Sequence, residues 1–226
     1  MRQKLLLTWI CAFSFILVMG SAQKSTAADE PAAKAPSENT EAAQAPDSAS
    51  GSGQFQPFVI YTNKGNRGNH YVPSGFMPDG KCLSLEDAWL ENCHSGKTCI
   101  KIDYDVECSK AGRKWAGIYW LNPANNWGSQ KGGYNLTGAQ KLTFWAKGEK
   151  GGERIEEFKV GGITGEFPDS DSAMIGPVIL TGEWTQYTID LTGKDLSYIS
   201  GGIAWSTKAE VNPNGCVFYL DDIQFE

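Results

Sequence analysis

Very little of this sequence repeats with a helical period, and that limits its fold more than any other property. From residue 54 onward the apolar residues come in short β-branched or aromatic runs, separated by Gly, Asn, Asp or Pro. This is the pattern of strands joined by turns. Strands are expected near residues 58–62, 99–106, 115–120, 141–146, 155–160, 178–180, 185–190, 199–205 and 217–225. "KGEKGGE" (147–153) reads as a hairpin and "NPNG" (212–215) as a turn. "SLEDAWLEN" (84–92) suits one helical turn and "LTGKDLSYI" (191–199) a short helix. Short strands without long helices predict an all-β fold, a two-sheet antiparallel β-sandwich of the jelly-roll kind. Alternation then assigns faces. Leu142, Phe144 and Ala146 point inward and Thr143, Trp145 and Lys147 outward. Phe158 and Val160 point inward, with Glu157 and Lys159 outside.

The first part of the chain reads differently. Residues 1–28 have the charged start, short apolar run and small-residue end of a secretory signal. Residues 29–53, "DEPAAKAPSENTEAAQAPDSASGSG", hold no large apolar residue and read as a disordered Ala/Pro/Ser-rich linker. Residues 54–226 remain as the folded domain. The expected location is secreted, periplasmic or at the cell surface, with no membrane span after signal cleavage. The formal charge of −6 and the lack of a basic patch argue against nucleic acid as a partner.

Export permits disulfides. Five cysteines follow the signal: Cys82, Cys93, Cys99, Cys108 and Cys216. Cys82 and Cys93 bracket a short loop and are expected to pair. Cys108 ends one expected strand and Cys216 begins another; if those strands run antiparallel, the two sulfurs meet. That bridge would close a loop of about 107 residues, worth about 4–5 kcal/mol by chain entropy. Cys99 is left as a buried thiol.

"KWAGIYWLNPANNWG" (114–128) places three tryptophans and a tyrosine within fifteen positions. Ala116, Ile118 and Trp120 share one face, which leaves Trp115 and Tyr119 on the other, near Trp145 if the strands are close. Asn125, Asn126 and Trp127 follow in a loop. A sugar ring offers an apolar face of C–H bonds and a rim of hydroxyls, so flat aromatics flanked by amides and charged groups suit it. The candidate ligand-binding residues are Trp115, Tyr119, Asn125, Asn126, Trp127, Trp145, Glu157, Lys159, Asp169 and Asp171. Packing alone is the competing reading for each aromatic.

"NHYVPSGFM" (69–77), "SGKTCIKIDY" (95–104), "WAGIYWLNPANNWG" (115–128), "GAQKLTFWAKGEKGGE" (138–153), "EWTQYTIDL" (183–191) and "CVFYLDDIQFE" (216–226) together carry a resemblance. Residues 55–226 resemble secreted bacterial carbohydrate-binding-module-like domains of the galactose-binding jelly-roll type. The resemblance implies a non-catalytic β-sandwich that binds polysaccharide or another glycan, often alongside polysaccharide-degrading enzymes. "YLDDIQF" also looks like the closing strand of modules that hold a structural calcium, which would make Asp221 and Asp222 metal ligands. No other cofactor is expected. Two alternatives stay open: a structural or adhesive surface protein that binds another protein, and a glycoside hydrolase or polysaccharide lyase, which needs two converging carboxyl groups. His70 and His94 lack metal-ligand spacing and are read as structural.

Overall fold

The computed structural model describes residues 54–78, 80–109 and 114–226, and the expected signal and linker lie outside them. The described residues form an antiparallel β-sandwich. In chain order its elements are β1 (Phe58–Tyr61), β2 (Val72–Met77), β3 (Leu83–Trp89), β4 (Cys99–Tyr104), α1 (Val106–Ser109), β5 (Trp115–Leu121), β6 (Lys141–Gly148), β7 (Arg154–Ile155), β8 (Glu157–Gly161), β9 (Ser172–Ile175), β10 (Val178–Ile179), β11 (Thr185–Asp190), β12 (Gly201–Lys208) and β13 (Cys216–Phe225). Sheet A has the order β11-β6-β13-β4-β3, and β1 pairs with the later part of β13. Sheet B has the order β2-β5-β12-β8-β9, and β7 pairs separately with β10.

The core lies between the two sheets, where the alternation places it. Leu142, Phe144, Ala146, Phe158, Val160, Ile189, Ile203, Trp205, Phe218 and Leu220 are all buried. Aromatic pairs tie the sheets together: Phe144 of sheet A meets Phe158 of sheet B at 4.5 Å, and Trp205 meets Phe218 edge-on at 4.8 Å. Each such ring, once fully buried, contributes about 1.5–3 kcal/mol through area alone. The chain closes on itself at Gln140 and Lys141, whose N–H groups donate to the Glu226 carbonyl.

Four expectations change. Residues 84–92 do not make a helical turn, because Leu83 and Leu85 alternate with exposed Ser84 and Glu86, and this period-2 pattern builds β3. Residues 191–199 form turns in place of a helix, pinned by buried Leu191, Leu196 and Ile199. "KGEKGGE" is not a hairpin: β6 pairs with β11 and β13, and β7, which follows the turn, pairs with β10. The cysteines also pair differently. Cys82 bonds Cys108 and Cys93 bonds Cys99, leaving Cys216 as a buried thiol.

The reason for the different pairing is local. β4 and β13 do run antiparallel, with Cys216 opposite Tyr104. However, β4 ends there, and Asp105 Oδ1 accepts the N–H groups of Glu107 and Cys108 at 2.8 and 3.3 Å. This cap starts α1, which carries Cys108 away from β13 to the side of β3, where Asp105 N donates to the Cys82 carbonyl. Both ends of the β3–β4 hairpin are thereby cross-linked.

Candidate functional site

The outer face of sheet B gathers most of the expected site. Register across the sheet sets Gly75 (β2), Tyr119 (β5), Ala204 (β12), Lys159 (β8) and Met174 (β9) in one row. The adjoining row holds Met77, Gly117, Ser206 and Glu157. Trp115 stands four residues from Tyr119 on the same side of β5, opposite Lys208. At about 3.4 Å per residue the two are about 13–14 Å apart along the strand.

Trp127 comes from the loop after β5 and meets Tyr119 edge-on, with ring centroids 5.8 Å apart. A Cβ on Gly75 would lie 3.0 Å from its Cζ2 and 2.8 Å from the Tyr119 Cβ, so only glycine admits the indole here. Asn126 builds this loop and does not face out. It is fully buried, its Oδ1 accepts the N–H groups of Gly128, Ser129 and Gln130, and its Nδ2 donates to the Gln130 carbonyl. Asn125 sits at φ 60° and donates its backbone N–H to Ser74 Oγ, leaving its side chain at the exposed surface.

Tyr119 is nearly buried and donates its hydroxyl to the Gly161 carbonyl at 3.0 Å. Burial holds its phenol well above the usual range, and the Glu157 and Asp169 carboxylates add to the effect. With Leu121, Ile163, Ala204 and half-buried Met77 it forms a small second apolar cluster outside the main core. The exposed indoles of this face are therefore Trp127 and Trp115, 43% and 37% exposed, with Tyr119 packed edge-on against Trp127.

The charged candidates divide. Lys159 folds over Gly162, where its Nζ lies 2.6 Å from the position a Cβ would take, and Glu157 Oε1 accepts the Ser206 hydroxyl at 3.1 Å. Both heads stand on the outer face. Asp169 is tied into the scaffold: Oδ2 accepts Ile163 N and Gly201 N, and Oδ1 accepts Ser200 N and Ser200 Oγ. Asp171 accepts Ser172 N, Asp195 N and Lys194 Nζ, and these donors, the Ser172 N–H foremost, hold its carboxyl below the usual range.

Trp145 belongs to the opposite side of the molecule. It lies on the outer face of sheet A, where His94 stacks flat on it at 3.7 Å and Trp184 meets His94 edge-on. Sequence alternation gave Trp145 its outward direction but not its sheet. Met77, Ser206 and Met174 were missed on the outer face of sheet B. Pro73 obscured β2, and Ser206 lay just past the end expected for β12.

Asp221 and Asp222 do not fit a calcium ion. Asp221 is fully buried, with Oδ2 accepting Ser95 N at 3.1 Å and Oδ1 accepting Asp222 N at 2.9 Å. Asp222 accepts Ser95 Oγ and pairs with His94 Nδ1 at 2.8 Å. All four oxygens face N–H or O–H donors or the imidazole, and the sulfurs of the Cys93–Cys99 bridge lie within 4.8 Å of an Asp221 oxygen. Calcium takes six to eight oxygens, which this set does not supply.

No family model matches the sequence, and no curated protein matches it. Among solved structures the chain is similar to a family 30 carbohydrate-binding module, at 14% identity over 76% of this chain and 88% of that one, with a TM-score of 0.50. It is also similar to the family 11 module of a cellulosomal cellulase of Clostridium thermocellum, at 13% identity over 75% and 94%, with a TM-score of 0.50. The fold is thus an antiparallel β-sandwich jelly roll of the kind that carbohydrate-binding modules adopt. Among the described residues no helix is long and apolar enough to cross a membrane.

Proposed function

We propose that this protein is an exported, non-catalytic carbohydrate-binding protein whose ligand lies on the outer face of sheet B. The observation that carries the reading is the pairing of two exposed indoles, Trp115 and Trp127, with the polar heads of Glu157 and Lys159 two strands to one side on the same sheet face. Pyranose rings stack on the indoles, while Lys159, Glu157 and the Asn125 side chain bond the hydroxyl rim. Two disulfides support an oxidising compartment, which suits a secreted, periplasmic or cell-surface partner of polysaccharide-degrading enzymes. A hydrolytic role is disfavoured because it needs a second free carboxyl beside Glu157, and Asp169 has both oxygens committed to four scaffold donors.

The test is affinity electrophoresis through gels containing a panel of neutral and charged polysaccharides. Trp127→Ala and Trp115→Ala are expected to lose retention on the gel that slows the wild type, with Trp145→Ala unchanged. Retention lost only with Trp145→Ala would move the site to sheet A, and absence of retention on every polymer would end the reading.

A further inference from the structure

The Cys93–Cys99 bridge differs from Cys82–Cys108 in what lies beside it. Among the described residues it is the only disulfide with a carboxylate oxygen, from Asp221, within 4.8 Å of both sulfurs. Its two ends are unequal. Cys93 is half-buried in the loop after β3, whereas Cys99 opens β4 and is completely buried, as is Asp221. Cys93 Sγ also stands 3.3 Å from the Trp89 carbonyl oxygen, an acceptor that a disulfide sulfur cannot use and a thiol can.

An incoming thiolate reaches the Cys93 sulfur, and the electron pair of the broken bond then falls on Cys99. A thiolate created in that enclosed position is costly unless it takes a proton as it forms. Asp221 is placed to give one. Each of its oxygens accepts one backbone N–H, Ser95 N on Oδ2 and Asp222 N on Oδ1, so a lone pair is left for the proton. Burial pushes this carboxyl up to about 6; the Asp222 carboxylate adds to the rise, while the two N–H donors and His94 oppose it. From β1 the Tyr61 phenol, pushed up to about 12 chiefly by burial, faces it as a neutral group, and from β6 the residue opposite is the uncharged Trp145.

We propose that Cys93–Cys99 is a thiol–disulfide exchange site that accepts a dithiol reductant, with Asp221 as the acid for the departing Cys99 sulfur. The first thiolate of the dithiol bonds Cys93 Sγ, the Cys93–Cys99 bond breaks, and Cys99 leaves with the Asp221 proton. The second thiolate then displaces Cys93, which takes a proton from water. The reductant ends as a cyclic disulfide, and solvent returns the proton to Asp221. Opening the ring releases the segment that holds His94 flat on Trp145. The test is timed reduction of the full chain by dithiothreitol, with alkylation and peptide mapping to follow the two bridges separately. Both bridges meet the same thiolate, so the ratio of their rates cancels its pH dependence. In the wild type, the rate for Cys93–Cys99 relative to Cys82–Cys108 should rise about tenfold from about pH 8 to about pH 5.5. In Asp221→Asn the rise should vanish, and at about pH 5.5 this bridge should open more slowly than in the wild type. A wild-type ratio that stays constant with pH overturns the proposal. So does an Asp221→Asn bridge that opens as fast or faster, because Asp221 would then act only as a charge that repels the reductant. Should Asp221→Asn fail to fold, the wild-type ratio decides.

Discussion

Asp169 offers the sharpest test of how the outer face of sheet B is held. Its carboxylate links the β8–β9 loop, through Ile163 N at 3.0 Å, to the start of β12, through Ser200 N at 2.5 Å, Ser200 Oγ at 2.6 Å and Gly201 N at 3.2 Å. Asp169→Asn keeps the shape but substitutes an NH2 group for one oxygen. If the amide oxygen stays with Ser200, the NH2 faces two backbone N–H donors and both of those bonds are lost. A hydrogen bond to a charged group is worth about 1.5–3 kcal/mol, and the half-buried site favours the low end, so the cost is about 3 kcal/mol. With a urea m-value of about 2 kcal/mol per molar, the unfolding midpoint should fall by about 1.5 M. Urea titration followed by tryptophan fluorescence measures this. At low temperature, where the variant remains folded, any polysaccharide retention should equal that of the wild type, because both Asp169 oxygens are already committed to scaffold donors. A midpoint shift below about 0.3 M, or loss of binding without loss of stability, would refute the argument.

Other outcomes follow from the same geometry. Replacing Cys82 and Cys108 together by Ser removes a bridge of sequence separation 26, and unfolding free energy should drop by about 3.5 kcal/mol on the chain-entropy model, read by the same titration. Cys216 should resist thiol reagents in the native protein and react after unfolding, as a buried thiol pushed up to about 12 would; rapid native labelling would contradict its placement. Burial pushes the Asp221 carboxyl up to about 6 from an ordinary 3.8. A carboxyl raised in the folded state favours folding below its unfolded pKa, and that contribution is lost as pH rises through about 6. Asp221→Asn should therefore gain melting temperature relative to wild type between about pH 4 and pH 7, and a constant difference across that range would exclude the effect. Dialysis against a calcium chelator should leave the melting temperature unchanged, since the oxygens of Asp221 and Asp222 already have partners.

The sandwich was legible in the sequence because its cause is local. Leu142, Phe144 and Ala146 alternate with Thr143, Trp145 and Lys147, and that period fixes a strand with one buried face. β3 was obscured because "SLEDAWLEN" carries acidic and alanine residues that suit a helix, and pairing with β4 overrode that preference. The site was legible only in part. Alternation set Trp115 and Tyr119 on one face of β5 and Trp145 outward on β6, but which sheet each strand joins depends on long-range pairing. Asn126, Asp169 and Asp171 carry the chemistry of ligand contacts, yet scaffold donors claim them first: the N–H groups of its own loop for Asn126, and donors from the segment between β11 and β12 as well for the two acids. The cysteine pairing turned on one residue, Asp105, whose cap bends the chain before β4 can carry Cys108 alongside Cys216.

β3 forms one border of sheet A, the position at which a sandwich is most open to recruitment by a stray strand. Here that border belongs to a closed covalent circuit: Cys82–Cys108 clamps one extremity of the hairpin and Cys93–Cys99 the other. Slippage by two residues, or exchange of this ribbon with a second molecule, would require a sulfur–sulfur bond to break. While both clasps remain oxidised, the margin is locked in its alignment, and a reducing environment is where intermolecular strand exchange should first become possible.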